Sequence, residues 1–336
     1  METNTTVTAT HALSDDIPLF ERFPALRGMP RVQLCTTPSP VERITGIPGV
    51  EDFWIKRDDL NAPLCGGNKV RALEFLLGNV RPGDTVLTLG GAGSTHVLST
   101  AIHTRRIGAK TIARRWQHDM NPVADLISER LAEHLGDRTV GRGPLGAMIR
   151  SGYVRLTRNV HFIPIGGSTP IGALGHVNAG LELAVQIKAG ALPAPSRIVL
   201  PVGSGGTAAG LALGLAIAEL DIPIVGARVS PLFFANRAKV LRIARSASRL
   251  ISDVTGEKLP SVRAANVRID HRMYGGAYGR PLAAATEAAA MLENATGIRL
   301  DSTYSAKAFA LALDFARNER GPTLFWLTFD ARCLTS

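Results

Sequence analysis

Cysteine, aromatic residues and long apolar runs are all in short supply. The three cysteines, Cys35, Cys65 and Cys333, are scattered, make no CxxC pair and lack Cys/His zinc spacing. That excludes a disulfide scaffold and a zinc-finger-type site, gives no reason to expect a metal, and fits a reducing compartment. Aromatics make up 5% of the chain, too few for rows of base-stacking rings. The longest apolar stretch, Ala208–Leu220, is mostly small side chains and far short of the roughly 20 residues of a membrane span, so it reads as a buried helix. Met1–Asp16 holds neither Lys nor Arg and no apolar centre, and reads as a polar arm rather than a targeting peptide. A cytoplasmic chain with no membrane partner is therefore expected.

Acids are fewer than bases, 28 against 38, for a net charge of +10. The excess collects between Ala235 and Ile251, where Arg237, Lys239, Arg242, Arg245 and Arg249 occur without an acid. Val240, Ala244, Ala247 and Ile251 recur there at helical spacing. The stretch is either a basic amphipathic helix that meets an anionic partner or the solvated face of a helix in a basic protein. No nucleic-acid motif accompanies it, so no nucleic-acid partner is expected.

The 336 residues, 45% apolar and 20% charged, suit one large or two ordinary globular domains. Short apolar runs bounded by Gly or Pro alternate with helical patterns. The strands expected are Thr85–Leu89, Thr111–Arg114, His161–Ile165, Arg197–Val202, Ile222–Val229 and Thr323–Thr328. The helices expected are Asn68–Gly78, Val97–Ile107, Val123–Leu135, Ile171–Ala189, Thr207–Leu220, Ala235–Ile251, Leu282–Thr296 and Ser305–Asn318. Strand–helix alternation means an α/β chain with parallel sheets covered on both faces, and ligands at the carboxyl ends of the strands.

Three loops at such positions carry chemistry. Pro201-Val202-Gly203-Ser204-Gly205-Gly206-Thr207 leads from a strand into a helix. Its glycines let N–H groups turn towards an anion at the helix N-terminus, a phosphate cradle, although a Gly-rich turn without a ligand has the same composition. It lacks the Lys-Ser/Thr of a P-loop. Gly90-Gly91-Ala92-Gly93-Ser94-Thr95-His96 is a second strand-to-helix turn, suited to a small carboxylate or simply to an N-cap. Gly66-Gly67-Asn68-Lys69 opens a third helix with a lysine where acids are favoured. A helix N-terminus disfavours the ammonium form and suits an amine that attacks a carbonyl; an exposed lysine on the outer face is the alternative.

These loops, with Ile55-Lys56-Arg57-Asp58-Asp59-Leu60, Val70-Arg71, Gly166-Gly167-Ser168 and Leu300-Asp301-Ser302-Thr303-Tyr304, run in register with a known group. From about Ile55 to Thr328 the chain resembles the D-cysteine desulfhydrase and 1-aminocyclopropane-1-carboxylate deaminase group of pyridoxal-phosphate enzymes. The resemblance implies the tryptophan-synthase-β-like fold, fold type II: two open, mostly parallel twisted-sheet domains with pyridoxal 5'-phosphate in the cleft. Residues 1–70 and 170–336 would form the large domain and 71–169 the small inserted one. A homodimer is implied as well. Lys69 matches the Schiff-base lysine, beside Asn68 in the cofactor site. Ser204, Gly205, Gly206 and Thr207 match the phosphate loop, and Thr328 the hydroxyl partner of the pyridine nitrogen. Ser94, Thr95 and His96 match the triplet that meets the substrate carboxylate and the pyridine hydroxyl. Tyr304 and Tyr278 match two tyrosines of the active site.

The implied chemistry uses the cofactor as an electron sink for the carbanion left when Lys69 takes the Cα proton of a small amino acid. A hydroxyl rather than a carboxylate at the ring nitrogen favours loss of a β leaving group, giving a 2-oxo acid and ammonia, with Tyr304 or Ser94 serving the leaving group. His96 follows the desulfhydrases where the deaminases carry Gln; Ser305 replaces their Glu and Thr328 their Leu. A desulfhydrase-like β-elimination is therefore expected ahead of cyclopropane opening. The sequence departs from the group at Thr95 for Asn, at Phe329-Asp330 for Gly-Gly, and at Ser302, Thr303 and Ala306. Phe329 is expected to narrow the floor of the site and Asp330 to bring negative charge to the pyridine end. A specialised biosynthetic homologue and a non-catalytic cofactor-binding one are the further alternatives.

Overall fold

A computed structural model of the chain describes residues 16–135, 139–157 and 159–334, so the N-terminal arm lies outside the described residues except for Asp16. The strands are β1 (Val41–Ile44), β2 (Phe53–Arg57), β3 (Thr85–Gly91), β4 (Lys110–Trp116), β5 (Val140–Gly141), β6 (His161–Ile163), β7 (Arg197–Val202), β8 (Ile224–Arg228), β9 (Val267–Asp270) and β10 (Thr323–Leu327). The helices are α1 (Pro18–Arg22), α2 (Asn68–Leu76), α3 (Thr95–Arg106), α4 (Pro122–Leu135), α5 (Pro144–Thr157), α6 (Pro170–Lys188), α7 (Gly206–Ile217), α8 (Arg237–Thr255), α9 (Ala283–Thr296) and α10 (Ser305–Asn318).

The strands form two sheets. One has six strands in the order β1-β2-β10-β7-β8-β9, and the other has four in the order β5-β4-β3-β6. Every pairing is parallel except β1 with β2. All six expected strands and all eight expected helices are present, with ends shifted by a few residues. Alternation along β10 explains the layering of the large sheet. Leu324 and Trp326 join a core with α6, α7 and α8, while Phe325 and Leu327 join the opposite core with α10. In the small sheet, α3 and α4 pack on one side through Val97, Ile102, Ile127 and Leu131.

Helices α6 and α7 approach so closely that a Cβ on Gly214 would lie 2.4 Å from the Val177 carbonyl oxygen and 3.0 Å from Gly180 Cα. That is why the apolar stretch after the Gly-rich turn is built of small residues. Among the described residues no helix is long and apolar enough to cross a membrane. The basic stretch is α8. Val240, Ile243, Ala244, Ala247 and Ile251 are buried against the large sheet, while Arg237, Arg242, Arg245 and Arg249 face solvent. Those four arginines therefore form the solvated face of a core helix.

A buried ionic network ties α2 to the large sheet. Arg71 Nε and Nη2 donate to the Asp58 carboxylate (2.9 and 2.7 Å), and Nη1 and Nη2 donate to Glu182 (both 3.0 Å). Lys56 Nζ donates to Glu182 Oε1 at 2.5 Å, and Trp326 Nε1 to Asp58 Oδ2 at 2.7 Å. Against the upward push of burial, Arg71 and Lys56 hold the Glu182 carboxyl down to about 2. The network fixes the helix whose first turn carries Lys69.

Candidate functional site

Between the carboxyl ends of the two sheets lies a cavity of about 310 Å³. Lys69 enters it from the first turn of α2. Gly67, at φ +121°, begins that helix against the end of β10; a Cβ there would lie 2.4 Å from the Thr328 carbonyl oxygen. Asn68 N donates to the same carbonyl at 3.0 Å, and Gly67 pairs with Phe329. The lysine and the hydroxyl of Thr328, which also lines the cavity, are thus held by one backbone junction. Burial brings the Lys69 amine down to about 8. Removal from water disfavours the ammonium form and lowers it.

The Gly-rich turn forms another wall. Gly205 takes a left-handed conformation (φ +93°) and α7 starts at Gly206. The first-turn N–H groups of Thr207 and Ala208 have no carbonyl one turn before them inside the helix, so they are donors for an anion. Asn68 Nδ2 donates to Thr207 Oγ1 at 2.8 Å, joining this turn to the lysine helix. Two serines brace the turn without having been assigned a role from sequence. Ser168 Oγ bonds Ser204 Oγ at 2.6 Å and accepts from Gly206 N at 3.1 Å, and Ser230 Oγ donates to the Gly203 carbonyl at 2.5 Å. Ser168 was marked only by its place after Gly166-Gly167; Ser230 had no local signal.

The third wall is the start of α3. Ser94 is an N-cap, its Oγ accepting from Val97 N at 3.4 Å, and it also lines the cavity with Thr95 and His96. The N-cap reading of this loop holds, and its side chains also stand in the cavity wall, where a carboxylate could be met. Burial, helped by the nearby Lys69 charge, drives His96 down to about 3. The imidazole is neutral; Nε2 bonds Thr88 Oγ1 at 3.0 Å and Nδ1 is buried without a hydrogen-bond partner.

Tyr278 and Tyr304 share a hydrogen bond between their hydroxyls, and Thr95 is a further neighbour of the Tyr304 phenol. Burial pushes Tyr278 up to about 12 and Tyr304 well above its ordinary value, so both are protonated phenols at neutral pH. The Asp301 carboxylate accepts from Tyr304 N at 2.7 Å and Ser305 N at 3.0 Å, fixing the start of α10. His118, not expected from sequence, packs edge-on against Tyr278 with ring centroids 4.7 Å apart. Its Nε2 accepts from Gly93 N at 3.1 Å and its Nδ1 donates to the Asp119 carbonyl at 2.8 Å, which fixes one neutral tautomer.

Asn121 was also missed, because its partners are distant in sequence. From the loop after β4, its Nδ2 donates to the Gly279 carbonyl (2.8 Å) and to Thr303 Oγ1 (2.9 Å). Its Oδ1 accepts from Ser302 Oγ (2.9 Å) and Ala124 N (3.0 Å). Ser302 and Thr303, departures from the group's pattern, thus clamp the tyrosine segment to the small-sheet side. Replacing Asn121 by Ala strands several buried polar groups, each worth about 1–3 kcal/mol, and is expected to lower kcat/KM by about 10- to 100-fold through a looser Tyr278–Tyr304 wall. A kinetic comparison with wild type checks this; an unchanged kcat/KM contradicts it.

One expectation is corrected. Asp330 does not bring charge into the cavity. Its carboxylate is held by the backbone N (3.0 Å), Nε (2.7 Å) and Nη2 (3.0 Å) of Arg332, and Phe329 rather than Asp330 lines the wall. Phe329 also packs with Cys65 and Val97, so it closes the cavity from the small-sheet side.

The site fits a group with an aldehyde to be captured, a phosphate and a polar ring. It offers a buried amine with a lowered pKa, a helix N-terminus with free N–H donors, and hydroxyls at Thr328, Ser94 and Thr95. The comparisons agree. A family model described as pyridoxal-phosphate dependent enzyme matches residues 32–328. Nocardicin C-9' epimerase of Nocardia uniformis subsp. tsuyamanensis is 36% identical over 316 residues, covering 90% of this chain and 94% of the epimerase. D-cysteine desulfhydrase of Salmonella paratyphi A is 31% identical over 331 residues, covering 92% of this chain and 96% of that enzyme. The crystal structure of an ACC deaminase homologue superposes with a TM-score of 0.70 at 29% identity, covering 93% of this chain and 94% of that one.

Proposed function

The chain belongs to the pyridoxal-phosphate dependent enzymes, and we propose from that premise that it is a desulfhydrase-like lyase, removing a β substituent from a small amino acid to give a 2-oxo acid and ammonia. The observation that carries this reading is Lys69, a buried amine lowered to about 8 that faces the hydroxyls of Ser94, Thr95 and Tyr304 across one cavity. When bound, the cofactor stabilises negative charge developing at Cα of an attached amino acid.

In this reading Lys69 would hold the cofactor, and its amine stands where it can take the Cα proton of the substrate. Thr207, Gly206, Gly205 and Ser204 hold the phosphate, and Asn68 fixes the lysine helix against them. Thr328 meets the ring nitrogen as a neutral hydroxyl. Ser94 and Thr95 bind the substrate carboxylate with the N–H groups of α3. Neutral His96 lends them no charge and serves as a hydrogen-bonding group. The protonated phenols of Tyr304 and Tyr278 deliver a proton to the leaving group. Residues 71–169 act as the small domain of a cytoplasmic homodimer, as the family resemblance implies; light scattering of the purified enzyme tests the mass of two chains.

A second reading is epimerisation at Cα, favoured by the 36% identity to an epimerase. It needs a proton returned from a group other than Lys69, and the tyrosine pair stands on separate elements from α2. One experiment separates the two. The holoenzyme is incubated with D- and L-cysteine in deuterated water. Release of 2-oxo acid and sulfide supports the lyase, and deuterated amino acid of inverted configuration supports the epimerase. Neither exchange nor product contradicts both.

Capture of the cofactor has a defined pH dependence. The neutral amine attacks the aldehyde, and the Lys69 amine is neutral above about 8. With pyridoxal phosphate added to the cofactor-free enzyme, the rate at which the visible band appears is expected to rise about tenfold per pH unit below 8 and to level off above it. A rate that keeps rising to the ordinary lysine value contradicts the burial argument.

A further inference from the structure

Beside the cofactor cavity runs a second groove of about 360 Å³. Ile165 and Phe234 line both spaces, so the groove is a side arm of the cavity. Its walls are apolar, with Leu89 from β3, Met148 from α5 and Phe162 from β6. Two cations stand on it. The Arg155 guanidinium lies 4.4 Å from the centroid of the Phe162 ring, and the Lys239 amine 5.3 Å from that of Phe234. Among the described residues neither forms an ion pair with a carboxylate, whereas Arg57, Arg71, Arg272 and Arg332 all do. Lys239 also stands apart within the basic stretch. Four arginines of α8 face water, but Lys239 is half-buried and turned onto the groove.

An apolar trough that opens from a binding cavity and carries two unmatched cations on aromatic faces has a defined complement. We propose that the groove is a subsite for the β substituent of an elongated amino-acid substrate, apolar along its length and ending in a carboxylate held by Arg155 and Lys239. The inference rests on the reading that the cavity binds an amino acid at the cofactor, and it names the substrate class of that same site. The trough walls take the apolar length out of water. The terminal carboxylate gains charge-assisted hydrogen bonds from the half-buried Lys239 and the exposed Arg155, cations that have no competing acid. The aromatic rings under both cations keep their positions defined before ligand arrives. A small substrate such as cysteine leaves the groove unused.

The test compares S-(4-carboxybenzyl)-D-cysteine with S-benzyl-D-cysteine on the holoenzyme. Affinity is read from the change in the cofactor's visible band, so it does not depend on turnover. The charged probe is expected to bind at least tenfold more tightly, and the double variant Arg155→Gln/Lys239→Gln is expected to bring the two probes within twofold. If the double variant fails to retain its visible band, Lys239→Gln alone is read, with the preference expected to fall at least threefold. Equal binding of the two probes, or a preference that survives the substitutions, overturns the subsite. D-cysteine distinguishes this failure from that of the underlying reading. A band that responds to D-cysteine but shows no preference between the probes overturns the subsite alone, and a band that responds to no amino acid overturns the cavity reading with it.

Discussion

Lys69→Ala is expected to leave a folded protein that no longer holds pyridoxal phosphate covalently and whose turnover falls by at least about 10⁴-fold, the upper range for loss of a positioned acid–base group. Loss of covalent attachment adds to that figure. The side chain leaves the helix towards the cavity, where its amine is buried, so its truncation removes no core packing of α2, whose buried face is Val70, Leu73 and Phe75. A change in thermal midpoint beyond that caused by cofactor loss would therefore be unexpected. Borohydride treatment of the variant should fix no cofactor to the protein. Turnover within tenfold of wild type would mean that another amine does the work. The competitor to consider is Lys307, also brought down to about 8 by burial. It sits behind the tyrosine segment with the Tyr274 carbonyl as hydrogen-bond acceptor at 3.3 Å and does not line the cavity.

Arg71→Met is expected to cost about 3–5 kcal/mol of stability, because it removes the cation while leaving two buried carboxylates. Asp58 would keep Trp326 Nε1 and Ser39 Oγ as donors, and Glu182 would keep Lys56. Neither set replaces a guanidinium that bonds both carboxylates at once. Such a loss is a large share of the roughly 5–15 kcal/mol typical of native proteins. The denaturant midpoint of the cofactor-free protein checks it, and a loss under about 1 kcal/mol would contradict the account. The same network gives acid sensitivity a definite sign. A carboxyl held down to about 2 when folded stabilises the fold above the ordinary carboxylate value, and that contribution is lost as pH falls from about 4.5 towards about 2. Loss of the Glu182 contribution at higher pH would mean that Arg71 and Lys56 do not face it as described.

The fold was legible where local pattern and tertiary burial agree. The strands β3, β7, β8 and β10 are short apolar runs ended by Gly or Pro, and each is buried on both faces. Helix α8 shows its core stripe in sequence. The strands β1, β2 and β9 were missed because charged residues break up their apolar runs: Glu42 and Arg43, Lys56 and Arg57, and Arg268 and Asp270. Helix α5 was missed for a different reason. Leu145, Met148 and Ile149 are exposed on it, so its apolar pattern does not report a core.

The site divides in the same way. Lys69, Ser94 and the Gly203–Thr207 turn announce themselves because glycines and polar groups sit where a strand hands over to a helix. Asn121, His118, Ser168 and Ser230 act through partners that only the fold brings near, and apart from the Gly166-Gly167 pair before Ser168 nothing in their neighbours marks them. The Asp330 expectation failed because proximity along the chain to Thr328 was taken for proximity to the cavity. Two residues on, Arg332 turns that carboxylate away.

The most direct test of the central claim is where the cofactor attaches. The purified enzyme is loaded with pyridoxal phosphate, reduced with borohydride and digested, and the modified peptide is identified by mass. The visible band should vanish on reduction, and the pyridoxyl adduct should lie on Lys69 alone. An adduct on Lys307 or Lys56, or a reduced protein with no adduct, would contradict the assignment of the cavity and the chemistry built on it.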